Sequence, residues 1–252
     1  MSGHSKWATT KHRKAAQDAK RSALFSKLTR SITVAAKEGG DPNIENNAAL
    51  AAAVAKAKSY SLPKDKIDAA IKKAFGSGSD ASRFETIVYE GYGPAGVAVI
   101  CEALTDNRNR TAADVRAAFN QCGGNLGTTN SVAFQFERKG QLTLAKAQAS
   151  DEDEFMLMVA EAGGEDYEDA EDQWIVITAA GDLALVRQGL EAAGLEILGY
   201  ELIMQPTTPT TVSVAEAKKV MRLIDRLEEL EDLQNVYHSM DITDEIMQAL
   251  DE

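Results

Sequence analysis

A chain of 252 residues that is 44% hydrophobic can fill more than one core, and since domains usually run ~100 to 200 residues, two or three modules are expected. No run approaches the ~18 to 20 apolar residues that a bilayer span needs, and no apolar stretch follows a basic start, so neither a membrane anchor nor a secretory signal is read and a cytoplasmic location is expected. The net charge of −12 argues on its own against a polyanion partner, but residues 1 to 75 hold fifteen Lys and Arg against six Asp and Glu, a net of +9, which leaves −21 for the remainder. A basic head on an acidic body points to a nucleic-acid surface at one end.

The head opens with Gly3-His4-Ser5-Lys6-Trp7 and Lys11-His12-Arg13-Lys14. Cations that neutralise phosphates, with an aromatic that stacks on a base, suit sequence-tolerant nucleic-acid binding, which makes Lys6, Trp7, Lys11, His12, Arg13 and Lys14 candidate contacts. The alternative is that Trp7 folds back onto the head and the cations form a solvated arm. Leu24, Phe25, Leu28, Ile32, Ala35 and Ala36 then recur at helical spacing up to Gly39-Gly40. Their stripe should face a core and turn Lys20, Lys27, Arg30 and Lys37 outward, with Arg21 breaking the pattern near the helix start. A second helix runs through Leu50 and Val54 to about Ser59. A third starts at Pro63, carries Ile67, Ile71 and Phe75, and stops at Gly76.

Gly76-Ser77-Gly78-Ser79-Asp80 reads as a linker, since flexible residues coincide there with the change of charge. Downstream, strands at about 84–90 and 96–104 flank Gly91-Tyr92-Gly93-Pro94-Ala95-Gly96, a hairpin turn rather than a phosphate loop because no Lys-Ser/Thr follows. A helix opened by Thr111, with Asp114 as capping partner, should pack through Val115, Ala118, Phe119 and Cys122 and end at Gly123-Gly124. Just before it, Asp106-Asn107-Arg108-Asn109-Arg110 places two guanidiniums at a helix N-terminus, a second candidate phosphate contact through Arg108 and Arg110. The competing reading pairs one of them with Asp106 or Glu102.

Val132, Phe134 and Phe136 alternate with polar residues into a hairpin turn expected at Arg138-Lys139-Gly140. Residues 141–205 then read strand, helix, short strand, strand, helix, strand, the ferredoxin-like βαββαβ order. Residues 140–205 hold fifteen acids and two bases, a module that nucleic acid should repel and that suits basic protein or plain solubility. Its runs Asp151–Glu154 and Glu165–Asp172 suit a helix dipole and an edge strand better than a metal. The closing helix starts at Ser213, capped with Glu216, and turns Ala217, Val220, Met221, Ile224 and Leu227 toward the strands of the 84–131 segment. The fold class is therefore α+β, with a three-helix domain at 1–76, an α/β middle domain at 81–131 plus 206–240, an inserted ferredoxin-like domain at 132–205, and a tail or short helix at 241–252.

Cys101 and Cys122 read as buried thiols, and His4, His12 and His238 are scattered, so no metal site and no cofactor is expected. Neither cysteine has a suggested histidine partner and no Gly-x-Ser-x-Gly elbow occurs, so the chain does not read as an enzyme.

Ser2-Gly-His-Ser-Lys-Trp7, Lys11-His-Arg-Lys-Ala-Ala-Gln-Asp-Ala-Lys20, Tyr89-Glu-Gly-Tyr-Gly-Pro94, Leu104-Thr-Asp-Asn-Arg-Asn-Arg-Thr111 and Gly123-Gly-Asn-Leu-Gly-Thr128 together resemble the YebC family, which includes the mitochondrial translational activator of cytochrome c oxidase. The match is collinear from residue 2 to near 240, and Thr9-Thr10 departs from the Asn-Ile of the family pattern. The resemblance implies three domains and a regulator of gene expression. Some members are described as probable DNA-binding transcriptional regulators, others as factors acting on the ribosome where proline-rich stretches stall it. Three readings follow: a translation factor meeting rRNA or tRNA through the head and basic ribosomal proteins through the acidic domain, a DNA-binding regulator, and, last, a small-molecule-binding regulatory protein. A monomer or weak dimer is expected.

Overall fold

The computed structural model describes residues 18–76, 84–149, 151–170 and 172–251, with backbone alone for residues 18–21 and 251. The head comprises α1 (Asp18–Gly39), α2 (Ala48–Ser59) and α3 (Lys64–Phe75). The apolar stripe of α1 does what its spacing predicts: Leu28, Ile32 and Ala36 are buried against Leu50, Val54 and Ala57 of α2 and Ile67, Ala70 and Ala74 of α3. Asn47 fixes the turn between α1 and α2, because its side chain accepts from the Leu50 N–H and donates to the Ala35 and Asp41 carbonyls. Phe75 is 44% exposed, since Ala74 takes the inward position at the end of α3.

The body is built from two four-stranded antiparallel sheets. In the first, β1 (Glu85–Tyr92) and β2 (Ala98–Thr105) form a hairpin, flanked by β3 (Asn125–Leu126) on one side and β8 (Leu233–His238) on the other. In the second, the order is β5 (Asp166–Ala170), β6 (Gln173–Ala179), β4 (Phe136–Ala145), β7 (Ile197–Pro206). With α5 (Glu152–Ala162) after β4 and α6 (Leu183–Ala192) after β6, this second unit is the expected ferredoxin-like βαββαβ arrangement. The chain leaves the first sheet after β3 and returns to it only at β8, so the second unit is an insertion in sequence.

Period-two alternation welds the layers. On β6, Ile175 and Ile177 face the first sheet and meet Ala98, Ile100 and Tyr237, whereas Trp174 and Val176 join Phe155, Val159, Val186 and Leu190 under α5 and α6. Trp174 stacks on Phe155 at 4.7 Å between centroids and satisfies its indole N–H on the Ala149 carbonyl. The other face of the first sheet is covered by α4 (Arg108–Gln121) and α7 (Val214–Glu228), which bury Val115, Ala118 and Phe119 against Ala217, Val220, Leu223, Ile224 and Leu227. The capping box of Ser213 with Glu216 starts α7 as expected. The chain closes with α8 (Asp244–Asp251), whose Ile246 joins the same core.

Three local expectations are corrected. Arg138-Lys139-Gly140 is no turn but lies inside β4, paired with β6 and β7, because the chain turns earlier, in a 3-10 turn at Ala133–Gln135. The helix after β2 starts at Arg108 and not at Thr111: Asn107 caps it by accepting the Arg110 N–H, which frees Thr111 to be buried. Of the two thiols only Cys101 is buried, where desolvation pushes its pKa far above the ordinary thiol range, while Cys122 is half-buried at the end of α4.

Candidate nucleic-acid interface

Of the eleven side chains nominated from the sequence, Lys6, Trp7, Lys11, His12, Arg13 and Lys14 lie outside the described residues, and Lys20 is described only by its backbone in α1. Lys27 and Arg30 are corrected. They do not face solvent but fasten the head to the body, since the body packs on the side of α1 that a lone three-helix bundle would leave wet. The Lys27 ammonium reaches the Glu228 carbonyl at the end of α7. The Arg30 guanidinium donates to the Glu231 carbonyl at 3.1 Å and the Asp232 carboxylate at 3.0 Å. Lys56 of α2 is the third fastening, donating to Glu201 of β7 at 2.7 Å and to Asn235 of β8 at 2.6 Å. Asn235 passes the chain on to Glu102 of β2 at 2.7 Å, so one polar network ties the head to both sheets.

Burial opposes the charge on Lys56, but the facing Glu201 carboxylate, Tyr60 and Glu102 together outweigh it and hold the ammonium above its ordinary value. Lys27 goes the other way: burial, only partly offset by Glu228, lowers its pKa from 10.5 to about 8. With a folded value below the unfolded one, the unfolded chain binds the extra proton between these limits, so this residue's contribution to stability rises with pH across that window. Burial and the nearby Glu201 push Tyr60 up to about 12, and its own contribution falls above the ordinary tyrosine value of 10.0. Unfolding free energy measured from pH 7.5 to 9.5 should therefore climb more steeply in wild type than in Lys27→Met. Equal slopes would show that Lys27 stays charged where it is.

Arg108 and Arg110 are likewise engaged, which favours the pairing alternative of the sequence reading. Arg108 donates to Glu85 at 2.8 Å, and Arg110 bridges Asp106 at 2.9 Å and Asp232 at 3.0 Å. Both guanidiniums stay half-exposed or more, yet each has an acid beside it. Asp232 is the hub of this corner: it also accepts from the Thr105 and Thr111 hydroxyls, at 3.1 and 2.7 Å, both on buried residues. Burial alone would raise its pKa, but Thr111, Arg110 and Thr105 together hold it below the ordinary carboxylate range.

Of the head cations that remain exposed, only Lys37 is expected from the sequence to face outward. Lys64, Lys66, Lys72 and Lys73 project from α3, with Lys37 and Lys58 on its neighbours, and no ion pair joins Lys64, Lys72 or Lys73 to a described acid. Exposed positions interspersed with Asp65 and Asp68 carry no periodic signal that sets them apart from an ordinary solvated helix face. At the opposite end of β1, Glu90 organises a loop that the sequence reading passed over. Its buried carboxylate accepts the N–H groups of Asn130, Val132 and Ala133 at 2.8 to 2.9 Å. Gly91 and Gly124 let β3 close against β1, since a Cβ on Gly91 would lie 2.6 Å from the Asn125 carbonyl and one on Gly124 2.7 Å from that of Tyr92.

The head, residues 5–77, matches a family model described as the TACO1/YebC protein N-terminal domain, and residues 84–240 match the TACO1/YebC second and third domain. The chain belongs to the TACO1/YebC family. It is 52% identical over 248 residues to a probable transcriptional regulatory protein of Rubrobacter xylanophilus, covering 98% of each chain. A protein of the same description from Aeromonas hydrophila is 51% identical, over 99% of this chain and 100% of that one. The crystal structure of a conserved hypothetical protein from Aquifex aeolicus superimposes with a TM-score of 0.81 at 39% identity, covering 92% of this chain and 94% of that one. Among the described residues no helix is long and apolar enough to cross a membrane.

Proposed function

We propose that this TACO1/YebC protein is a non-enzymatic regulator of gene expression that acts on the ribosome, meeting rRNA or tRNA through its basic head. The observation that supports this reading most is the polarity of the chain, +9 over residues 1 to 75 and −21 beyond them, with Lys64, Lys72 and Lys73 exposed on the head. A body of that sign is repelled along a duplex, whereas a ribosomal surface offers RNA to the head and basic protein to the acidic ferredoxin-like unit. The description of the relatives as probable transcriptional regulatory proteins favours a second reading, in which the chain regulates transcription by binding DNA. A ligand-binding role gains little: the cleft of about 1330 Å³ between head and body has a largely apolar lining that includes Leu24, Val34 and Leu198, and its central polar groups already pair with one another, Lys56 with Glu201 and Asn235 with Glu102.

Sedimentation of lysate through a sucrose gradient separates the two. Wild type should travel with ribosomes at low salt, and both Lys11→Glu/Arg13→Glu/Lys14→Glu and Lys64→Glu/Lys72→Glu/Lys73→Glu should remain at the top. Each triple variant should also flatten the salt dependence of nucleic-acid affinity by roughly two to three units of slope. Wild type left at the top of the gradient, while retarding duplex DNA in a salt-dependent manner, would hand the function to the transcriptional reading.

A further inference from the structure

The most exposed large apolar side chain among the described residues is Phe134, at 73%. It sits in the 3-10 turn Ala133–Gln135, on the segment that crosses from the first sheet to the second. An exposed phenylalanine on a loose loop would mean little, but this loop is held from beneath. The Glu90 carboxylate takes three of its N–H groups, the Gly127 N–H donates to the Glu90 carbonyl, and the Tyr92 hydroxyl donates to the Ser131 carbonyl while accepting from the Gln135 amide. Asn130 adopts a left-handed backbone, φ 65°, to make the bend. The ring is thus presented on a rigid mount, which removes the ordering cost that a mobile aromatic would meet on binding.

Its surroundings narrow the partner. From Ala117 through Phe136, twenty consecutive residues carry no charged side chain, in a chain that is 26% charged. This gap interrupts a body otherwise strongly acidic, so a polyanion can approach here with less repulsion than over the ferredoxin-like helices. The exposed neighbours Thr128, Thr129 and Asn130 offer hydroxyls and an amide, and no second large apolar side chain among residues 123–135 is exposed to widen the ring into an apolar patch. A protein hot spot is normally ringed by apolar contacts that exclude water, whereas an aromatic whose exposed loop neighbours are polar and uncharged, with the partly exposed Tyr92 nearby and the Glu90 carboxylate buried beneath, suits the face of a base.

We propose that Phe134 is a stacking platform for an unpaired base of RNA, with Thr128, Thr129 and Asn130 beside it to bond base edges or ribose hydroxyls. Double-stranded RNA keeps its bases stacked inside the helix, so the platform selects single strands, loops and ends. The inference rests on the nucleic-acid reading above and adds a second contact, on the body, whose contribution is independent of charge.

Fluorescence anisotropy on the full chain tests it, with a labelled 12-nucleotide RNA single strand and the fully paired duplex of the same sequence as probes. Phe134→Ala should weaken single-strand binding roughly tenfold, leave duplex binding and the salt slope as in wild type, and melt at the wild-type temperature because the ring is exposed. Phe134→Trp should restore single-strand affinity, and its added indole emission should be quenched on binding. If wild type binds the single strand and Phe134→Ala binds it equally well, the platform is refuted and the ring is left to a protein partner. If wild type binds neither probe at any salt, the nucleic-acid reading falls together with the platform.

Discussion

Replacing Asp232 by alanine is expected to lower the unfolding free energy by about 3 kcal/mol and to release the head from the body. One carboxylate serves four donors from three parts of the chain: Thr105 at the end of β2, Thr111 and Arg110 in α4, and Arg30 in α1. Thr105 and Thr111 are buried, so the substitution takes the acceptor from the Thr105 hydroxyl while Thr111 can turn to the Asn107 carbonyl, and it leaves two guanidiniums facing each other without the anion between them. Asp232→Asn keeps one oxygen but turns donors toward Arg30 or Arg110, and its cost should fall between wild type and alanine. Because the folded-state pKa of Asp232 is depressed, its contribution is present above the ordinary carboxylate value and fades as pH falls through the depressed one. Urea unfolding should thus separate wild type from Asp232→Ala more widely at pH 7 than at pH 3. Limited proteolysis between residues 76 and 84 should be faster in the variant at pH 7. Equal resistance would mean that Lys27 and Lys56 hold the head without Asp232.

That corner also marks where a sequence stops being legible. Helical and strand periodicity placed α1, α2, α7 and the βαββαβ order correctly, because each rests on which residues of one element share a face. The same reasoning turned Lys27 and Arg30 outward, because it treated α1 as one helix of an isolated bundle. Whether the polar side of a helix meets water or a second domain depends on contacts some 200 positions away, and no local pattern carries that. The conspicuous Asp106–Arg110 motif left two readings open, phosphate ligand or pairing with a nearby acid, and the acids of this chain are the partners found. Its arginines attract attention as phosphate ligands, yet Asn107 serves as a cap, Thr111 as a buried donor, and both arginines pair with carboxylates of this chain. A motif dense in charge is as consistent with an internal ion network as with a ligand, and only the location of the counter-charges decides. Phe134 shows the converse. Its alternation with Val132 and Phe136 read as strand, and that alternation hid the one side chain of the three that points into solvent.

Glu90→Ala should cost about 3 kcal/mol, and the cost arises in the backbone rather than in any lost ion pair. Oε1 accepts from Asn130, and Oε2 from Val132 and Ala133, all within a loop that has no regular ladder of its own to satisfy these groups. Removing the carboxylate leaves three N–H donors at the edge of the core, beside the buried Val132, with too little room for the loop to find replacements without opening. Glu90→Gln is the sharper test, since it conserves shape. Its single carbonyl oxygen can serve one side of the carboxylate, but its amide then points N–H at N–H on the other, so about 2 kcal/mol of loss is expected. Hydrogen exchange of the Asn130, Val132 and Ala133 amides reads the effect directly: protection should collapse in both variants while that of β2 and β6 persists. The loop would then sample conformations in which Phe134 is no longer held, and single-strand RNA affinity should drop in Glu90→Gln although the ring is still present. Glu90→Gln with wild-type protection at all three amides would show that the loop is fixed by Gly91, Gly124 and the Tyr92 hydroxyl alone, and that the buried carboxylate has no part in mounting the ring.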